Sequence, residues 1–252
     1  MKDKLRTLVS NKMFHLVVII VIIVAILFFL GITILKYNVE GETNMPFVLS
    51  KISIISQSLG TDKTVEGMRW AFDVNETNDI YLYIDKNEGN NQEELIKSVK
   101  IDSMNVNTAP TVGQTNFYKP DITDVNLFFK DSAENVINSL EYAGDVESDI
   151  KNLKISNQGG IVAFRYSINN VAEYTSNDDE QIEHKDLLNK AGVDYNNLKS
   201  NISFDLTINL ESGKVFKSNI NLDLPLDNVV QEGVVSKEIT DVEQFIFKRI
   251  QN

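Results

Sequence analysis

The feature that most constrains this chain is residues 16–35, LVVIIVIIVAILFFLGITIL, twenty consecutive positions without a charge. At 1.5 Å rise per residue, a helix of that length spans about 30 Å, the thickness of a bilayer hydrocarbon core. A helix buried in an ordinary domain keeps a polar stripe, whereas this one is apolar on every face. The segment predicts a transmembrane helix over residues 16–36, with Lys36 snorkelling and Tyr37 at the interface. A cleaved signal peptide would have a shorter apolar core followed by a small-x-small site. GITILKYNVEG offers no such site, so the segment reads as an uncleaved signal anchor.

Lys2, Lys4, Arg6 and Lys12 stand against Asp3 alone at the N-terminal side of the span. The positive-inside rule places residues 1–15 in the cytoplasm and residues 37–252 outside, as a single-pass protein of the cell membrane. The net charge of −12 then divides into +3 for residues 1–35 and −15 for residues 36–252. An exterior this acidic argues against nucleic acid as a partner, because phosphate binding needs clustered Lys and Arg. It attracts cations or basic partners, although a well-hydrated surface explains it as simply. The tether at residues 37–46, YNVEGETNMP, reaches at most about 35 Å when extended. Residues 47–252 are therefore expected to work close to the cytoplasmic membrane.

Beyond the tether the hydrophobic period is two. Strands are expected at 47–58, 68–74, 80–86, 95–106 and 125–130, the fourth with a register change near Asp102. The NETND between the second and third reads as a turn, and 107–120 as a loop. In 201–224, Ile202, Phe204, Leu206, Ile208 and Leu210 alternate with polar residues. After Ser212-Gly213, Phe216, Ser218, Ile220, Leu222 and Leu224 share one face, so this is a β-hairpin with one wet side. Residues 161–168 and 171–174 suggest a further strand pair. Val136, Ile137 and Leu140, between Ser132 and Gly144, have the spacing of a capped helix over 133–143. A second helix is expected at 184–191. Residues 239–250 lean to strand, although Thr240-x-x-Glu243 resembles a capping box.

Many short strands with Gly and Asn turns predict an all-β antiparallel sandwich, immunoglobulin-like or jelly-roll-like. It is one large sandwich, or two units dividing near residue 130. IKSVKID at 96–102 and IKNLKIS at 150–156 hint at duplication, though coincidence is the plainer reading. Non-equivalent positions in the sheets would rule duplication out.

With no cysteine and only His15 and His184, a disulfide framework, a thiol nucleophile and a multi-histidine metal centre are excluded. One cluster could carry chemistry: Asp178, Asp179 and Glu180, then Glu183 and His184. Carboxylate oxygens of this kind suit Ca²⁺, but the EF-hand spacing is absent and a solvated loop is the simpler reading. An envelope hydrolase would use His184 as its base, yet no G-x-S-x-G, P-loop, dinucleotide or H-E-x-x-H motif occurs. Ser148 and Lys151 match S-x-x-K, a pattern expected roughly 1.4 times by chance among 18 Ser and 20 Lys. Trp70, Phe72, Tyr81, Tyr83, Phe117 and Tyr118 could stack on sugars, but aromatic residues more often fill a core. Tyr81 and Tyr83 stand apart, because they project opposite Ile80, Leu82 and Ile84 and would form an exposed stripe for a ligand or partner. Asn, Ile and Lys make 75 of 252 residues, the bias of an AT-rich, bacterial genome. The expectation is a non-enzymatic binding or scaffold protein of the bacterial cell envelope, partnered by an envelope protein or a cell-wall polymer. The alternative is a hydrolase or cation-binding protein centred on 178–184.

Overall fold

The computed structural model describes residues 12–39, 45–90, 93–121, 128–144, 153–179 and 181–250. Most of the basic N-terminus, positions 40–44 of the tether, the S-x-x-K match and Glu180 lie outside them. Helix α1 (Lys12–Val39) runs for 28 residues. The large apolar side chains described from Leu16 to Leu30 are 39–71% exposed, and none joins the hydrophobic core. Side chains within α1 are described for positions 15, 16 and 18–31. Among the described residues, no helix is long and apolar enough to cross a membrane.

The rest is β-structure. One six-stranded sheet has the order β11 (Val234–Ile239), β1 (Phe47–Asp62), β2 (Trp70–Lys86), β8 (Gly160–Ser176), β4 (Gln114–Tyr118), β5 (Val136–Ile137). The other runs β12 (Lys248–Ile250), β10 (Val215–Leu224), β9 (Ser200–Leu210), β3 (Ile96–Thr108), β6 (Leu140–Gly144), β7 (Lys154–Ile155). Every pairing is antiparallel except β6 with β7. Phe164 of the first sheet meets Phe204 of the second edge-on at 5.0 Å, inside a core both inner faces supply. This is a β-sandwich. The β9–β10 hairpin forms as its alternation dictates: Ile202, Phe204, Leu206 and Ile208 are wholly buried, each contributing roughly 1.5–3 kcal/mol. Gly213 turns the chain at φ 82°, in the left-handed region a glycine occupies without strain.

Several expectations need correction. NETND is no turn: β2 passes straight through it, and all five residues are buried. Residues 161–168 and 171–174 are likewise one strand, β8. It carries its interruption as a bulge, for Val74 faces Ala172 while Glu76 faces Ile168, and Asn170 sits at φ 56°. The supposed loop 107–120 contains β4. The helix expected over 133–143 is a three-residue turn (Ala133–Asn135) without a side-chain cap, followed by β5 and β6. Its apparent helical spacing was accidental, since Leu140 and Tyr142 alternate onto the core at strand period. Of 125–130 only the last three residues are described, with Phe129 bridged to Pro120. In 239–250 only Ile239, the end of β11, and Lys248–Ile250 are strand.

Other features match. β3 shifts register between Asp102 and Asn105, with Ser103 at φ 53°. Residues 184–191 form a turn (His184–Asp186) and helix α2 (Leu187–Lys190). IKSVKID lies in central strand β3, whereas the described part of IKNLKIS forms edge strand β7. Those places are non-equivalent, the outcome that rules duplication out.

The long strands define two poles. β1 begins at the tether, opposite Lys86 at the end of β2. Its 16 residues carry the chain about 50 Å to a distal end, where Asp62, Trp70 and Ser176 end or begin their strands, while β9 and β10 stop short of it, near the level of Ser56. Three short helices lie in the segments that follow β8 and β10: α2, α3 (Tyr195–Leu198) and α4 (Val229–Glu232).

Candidate functional site

The buried NETND makes a polar waist across the first sheet. On its inner face Glu76 and Asn78 lie in register with Ser58 and Ser56 of β1, and with Ile168 and Tyr166 of β8. The Ser56 hydroxyl donates to Asn78 Oδ1 at 2.5 Å and accepts from the Leu226 N–H at 2.9 Å. Ser58 donates to the His184 carbonyl at 2.8 Å and accepts from the Leu188 N–H at 3.2 Å. Two serines thus fasten both segments bearing the short helices to the sheet. Glu76 is fully buried, accepting from Asn78 Nδ2 at 2.7 Å through Oε2. Its Oε1 and the Tyr166 hydroxyl have no hydrogen-bond partner. Burial pushes the Glu76 carboxyl well above the usual range, outweighing the Asn78 hydrogen bond, and favours the neutral acid.

On the outer face Asp79 receives both Arg165 Nε, at 2.5 Å, and Nη2, at 3.1 Å. Arg165 Nη1 donates to Asp131 Oδ1 at 2.9 Å, and Ser167 donates to Asp131 Oδ2 at 2.7 Å. The guanidinium lies 4.9 Å from the Phe129 ring centroid. Burial raises the Asp79 carboxyl despite Arg165. Burial opposes the Arg165 cation, but the hydrogen bond and charge of Asp79, with Asp131, raise its pKa further.

Level with this waist, two clefts of about 420 and 410 Å³ share Tyr195, Asp223, Pro225 and Asp227. The first adds Thr108, Lys199, Ser200, Asn201 and Leu224. The second adds Leu226 and three residues of β11, Val235, Ser236 and Lys237. Tyr195 donates towards Asp227 Oδ1 at 2.8 Å, with the Pro225 carbonyl 3.0 Å away. Lys199 Nζ stands 5.2 Å over its ring centroid. Burial and the Asp227 carboxylate push the Tyr195 phenol up to about 12. These groups can bind and orient a polar ligand.

The acidic segment disperses its charges instead of gathering them. Asp179 pairs with Arg69, Glu183 with Lys185 at 2.7 Å, and Asp178 accepts from Ser176 at 2.9 Å. The His184 ring accepts the Gly60 N–H through Nδ1 at 3.1 Å and meets Phe72 edge-on, while Ser58 touches its carbonyl, not its ring. Among the described residues no three His, Asp or Glu are placed to hold a metal ion. Tyr81 and Tyr83 do project opposite Ile80, Leu82 and Ile84, but they are half-buried and form no exposed stripe. Phe128 stacks on Tyr81 at 6.2 Å, Phe129 meets it edge-on, and Lys51 covers Tyr83 at 4.4 Å. Phe72, Phe117 and Tyr118 are buried.

Comparison with protein families, with curated proteins and with solved structures gives no match. Sequence reasoning missed Glu76, Arg165, Tyr195 and Asp227. Arg165 carried a signal: a cation inside IVAFRYSI, a run buried from Val162 to Ile168, demands carboxylate partners. Tyr195 and Asp227 carried none, because only the fold brings them together.

Proposed function

We propose that this chain is a single-pass membrane protein holding a non-enzymatic β-sandwich binding module outside a bacterial cytoplasmic membrane. The observation that carries the reading is α1, 28 residues whose large apolar side chains described from Leu16 to Leu30 are 39–71% exposed. Outside a bilayer, so much exposed apolar surface would drive aggregation. The four N-terminal bases orient it, and residues 1–15, 16–36 and 37–46 serve as cytoplasmic end, signal anchor and tether. The cleft pair around Tyr195 is the module's binding site, for an envelope protein or a wall polymer. Residues 60–70, 173–179, 181–199 and 223–233, which run from the clefts to the far end of β1, carry eleven acids against five bases. Anionic headgroups repel such a surface, so this end of the sandwich faces away from the bilayer.

The absence of native cysteine makes the topology directly testable. Ser10→Cys and Thr240→Cys variants are treated in intact cells with a membrane-impermeant maleimide. Labelling at 240 only, with residue 10 reacting after lysis, is the expected result. Extraction of the protein by alkaline carbonate, or labelling at residue 10 in intact cells, overturns the reading.

A further inference from the structure

The outward face of the second sheet concentrates asparagine. β10 turns Asn219, Asn221 and Asp223 to that side, and neighbouring β9 turns Asp205, Ser203 and Asn201 in register with them. β3, on the far side of β9, adds Asp102, Asn105 and Asn107. Five of these nine positions are asparagine, where its frequency in the chain, 28 of 252, would give about one. Strands disfavour asparagine, so sheet formation does not account for the excess.

The side chains form one hydrogen-bonded lattice with Asn107 at its centre. Its Nδ2 donates to Asn201 Oδ1 at 2.8 Å and to Asn221 Oδ1 at 3.2 Å. Its Oδ1 accepts from Asn105 Nδ2 at 2.7 Å and from the Ser203 hydroxyl at 3.1 Å. Asn221 donates on to Asn219, Asn219 to Asp205, and Asn201 to Asp223. A primary amide has two donor hydrogens and two acceptor positions. Among the described contacts, Asn105, Asn201 and Asn221 each keep one N–H and an Oδ1 lone pair for a ligand. The lattice orients these groups without using them up.

The chemistry of the face selects its occupant. None of the nine positions is apolar or aromatic, so the anchors of a protein interface are missing. Lys217 is held by Asp205 at 2.7 Å and Lys100 by Asp102 at 2.9 Å. Those pairs leave the face near neutral on a domain carrying −15, and they occupy the cations that a phosphate polymer would need. Fixed N–H and C=O groups on a wet sheet suit hydroxyls, each of which donates and accepts. The face also continues into the site already described, because Thr108, Asn201 and Asp223 line the first cleft, where Tyr195 offers a ring.

We propose that the asparagine lattice and the first cleft form one track for a neutral, hydroxyl-bearing glycan strand. Asn105, Asn201 and Asn221 take its hydroxyls, and Tyr195 packs against a sugar ring in the cleft. The rows extend about 14 Å along the strands and about 10 Å across them. Amides already held in place lose little freedom on binding, which favours affinity. The proposal narrows the ligand class of the clefts and rests on reading them as a binding site.

The test titrates the full chain in nanodiscs with chitohexaose, mannohexaose and maltohexaose, following side-chain amide signals by NMR. At least one hexasaccharide is expected to shift Asn105, Asn201 and Asn221 saturably, with a Kd below about 10 mM. Asn105→Ala/Asn221→Ala should weaken that binding at least about fivefold, through lost hydrogen bonds, at an unchanged melting temperature. If this variant melts lower, Asn105→Ser/Asn221→Ser takes its place with the same expectation. No shift with any hexasaccharide, or affinity that survives both double variants, overturns the proposal. So does a stronger response of Asn105 and Asn221 to hexalysine, which assigns the face to a basic protein segment. Shifts confined to Tyr195, Ser236 and Lys237 also overturn it, while the clefts stand as a binding site. Shifts at Asn105 and Asn221 with the clefts silent uphold the glycan face and discard the clefts, so the two readings fail separately.

Discussion

Glu76 is where the fold holds an acid against its solvation. Its carboxyl is raised well above the usual range by burial, so the native state keeps a proton that the unfolded chain releases above its ordinary carboxylate pKa. For such groups the stability is fully present below the unfolded pKa and is lost as pH rises towards the folded one, by about 1.4 kcal/mol per pH unit for each proton retained. Urea midpoints taken between pH 5 and pH 8 should therefore fall with rising pH. Glu76→Gln keeps the shape and removes the ionisation, so its midpoints should fall less steeply and exceed wild type at pH 8. Parallel curves for the two proteins would show that Glu76 is ionised in the folded state. Arg165 presents the opposite case, a buried cation that two carboxylates need. Arg165→Ala strands Asp79 and Asp131, and a loss of roughly 3–5 kcal/mol in urea unfolding is expected. Arg165→Met/Asp79→Leu should recover part of it, and a double variant as unstable as the single one would contradict this account.

At the scale of elements, Tyr142 shows how the sheets are closed. Its hydroxyl accepts the Ala163 N–H at 2.9 Å and donates to the Ala163 carbonyl at 2.7 Å. β4 reaches only Arg165, so the tyrosine from the other sheet takes the place of a strand beside Ala163. Tyr142→Phe leaves both backbone groups buried and unpaired, at roughly 1–3 kcal/mol each. Exchange of the Ala163 amide should speed up more than that of Phe164; an unchanged ratio would mean water replaces the hydroxyl. The same elements explain what was legible beforehand. The 201–224 hairpin could be read directly, because one face is apolar without interruption and its turn contains a glycine. β2 and β8 could not, because Asn75, Thr77, Asn78, Asn169 and Asn170 imitate turn chemistry while belonging to long paired strands. The asparagines are satisfied across the sheets, through Ser56, Tyr118 and the Asn75 contact to the Asn170 N–H at 2.8 Å, which no local window contains, while the buried Thr77 hydroxyl has no partner. The acidic cluster at 178–184 was visible as composition, but the cations that disperse it come partly from Arg69, a hundred residues earlier. Tyr195 and Asp227 met the same limit, since their pairing depends on how the segments after β8 and β10 fold back.

At the scale of the whole molecule, the described apolar side chains gather in two separate places, the sandwich core and α1. Among the described residues none of the core comes from α1, which lies against β12, and the core closes on Met45 and Phe47, at the end of the tether. A helix that lends nothing to the core should be removable without cost to the fold. Deleting residues 1–44 is expected to give a soluble protein whose melting temperature stays within about 3 °C of the full chain in nanodiscs, a difference under roughly 1 kcal/mol for a body this size. It should also keep the pH dependence set by Glu76, because that acid is buried between the sheets and far from the tether. A truncated chain that aggregates, or melts well below the full one, would show that α1 covers part of the sandwich. The uncovered apolar helix would then be explained by the protein itself, with no bilayer required. If the truncated chain instead remains soluble and equally stable, the exposed apolar surface of α1 needs a partner other than this sandwich. On the proposed reading that partner is a hydrocarbon core about 30 Å thick, the length a helix over the twenty uncharged residues 16–35 would span.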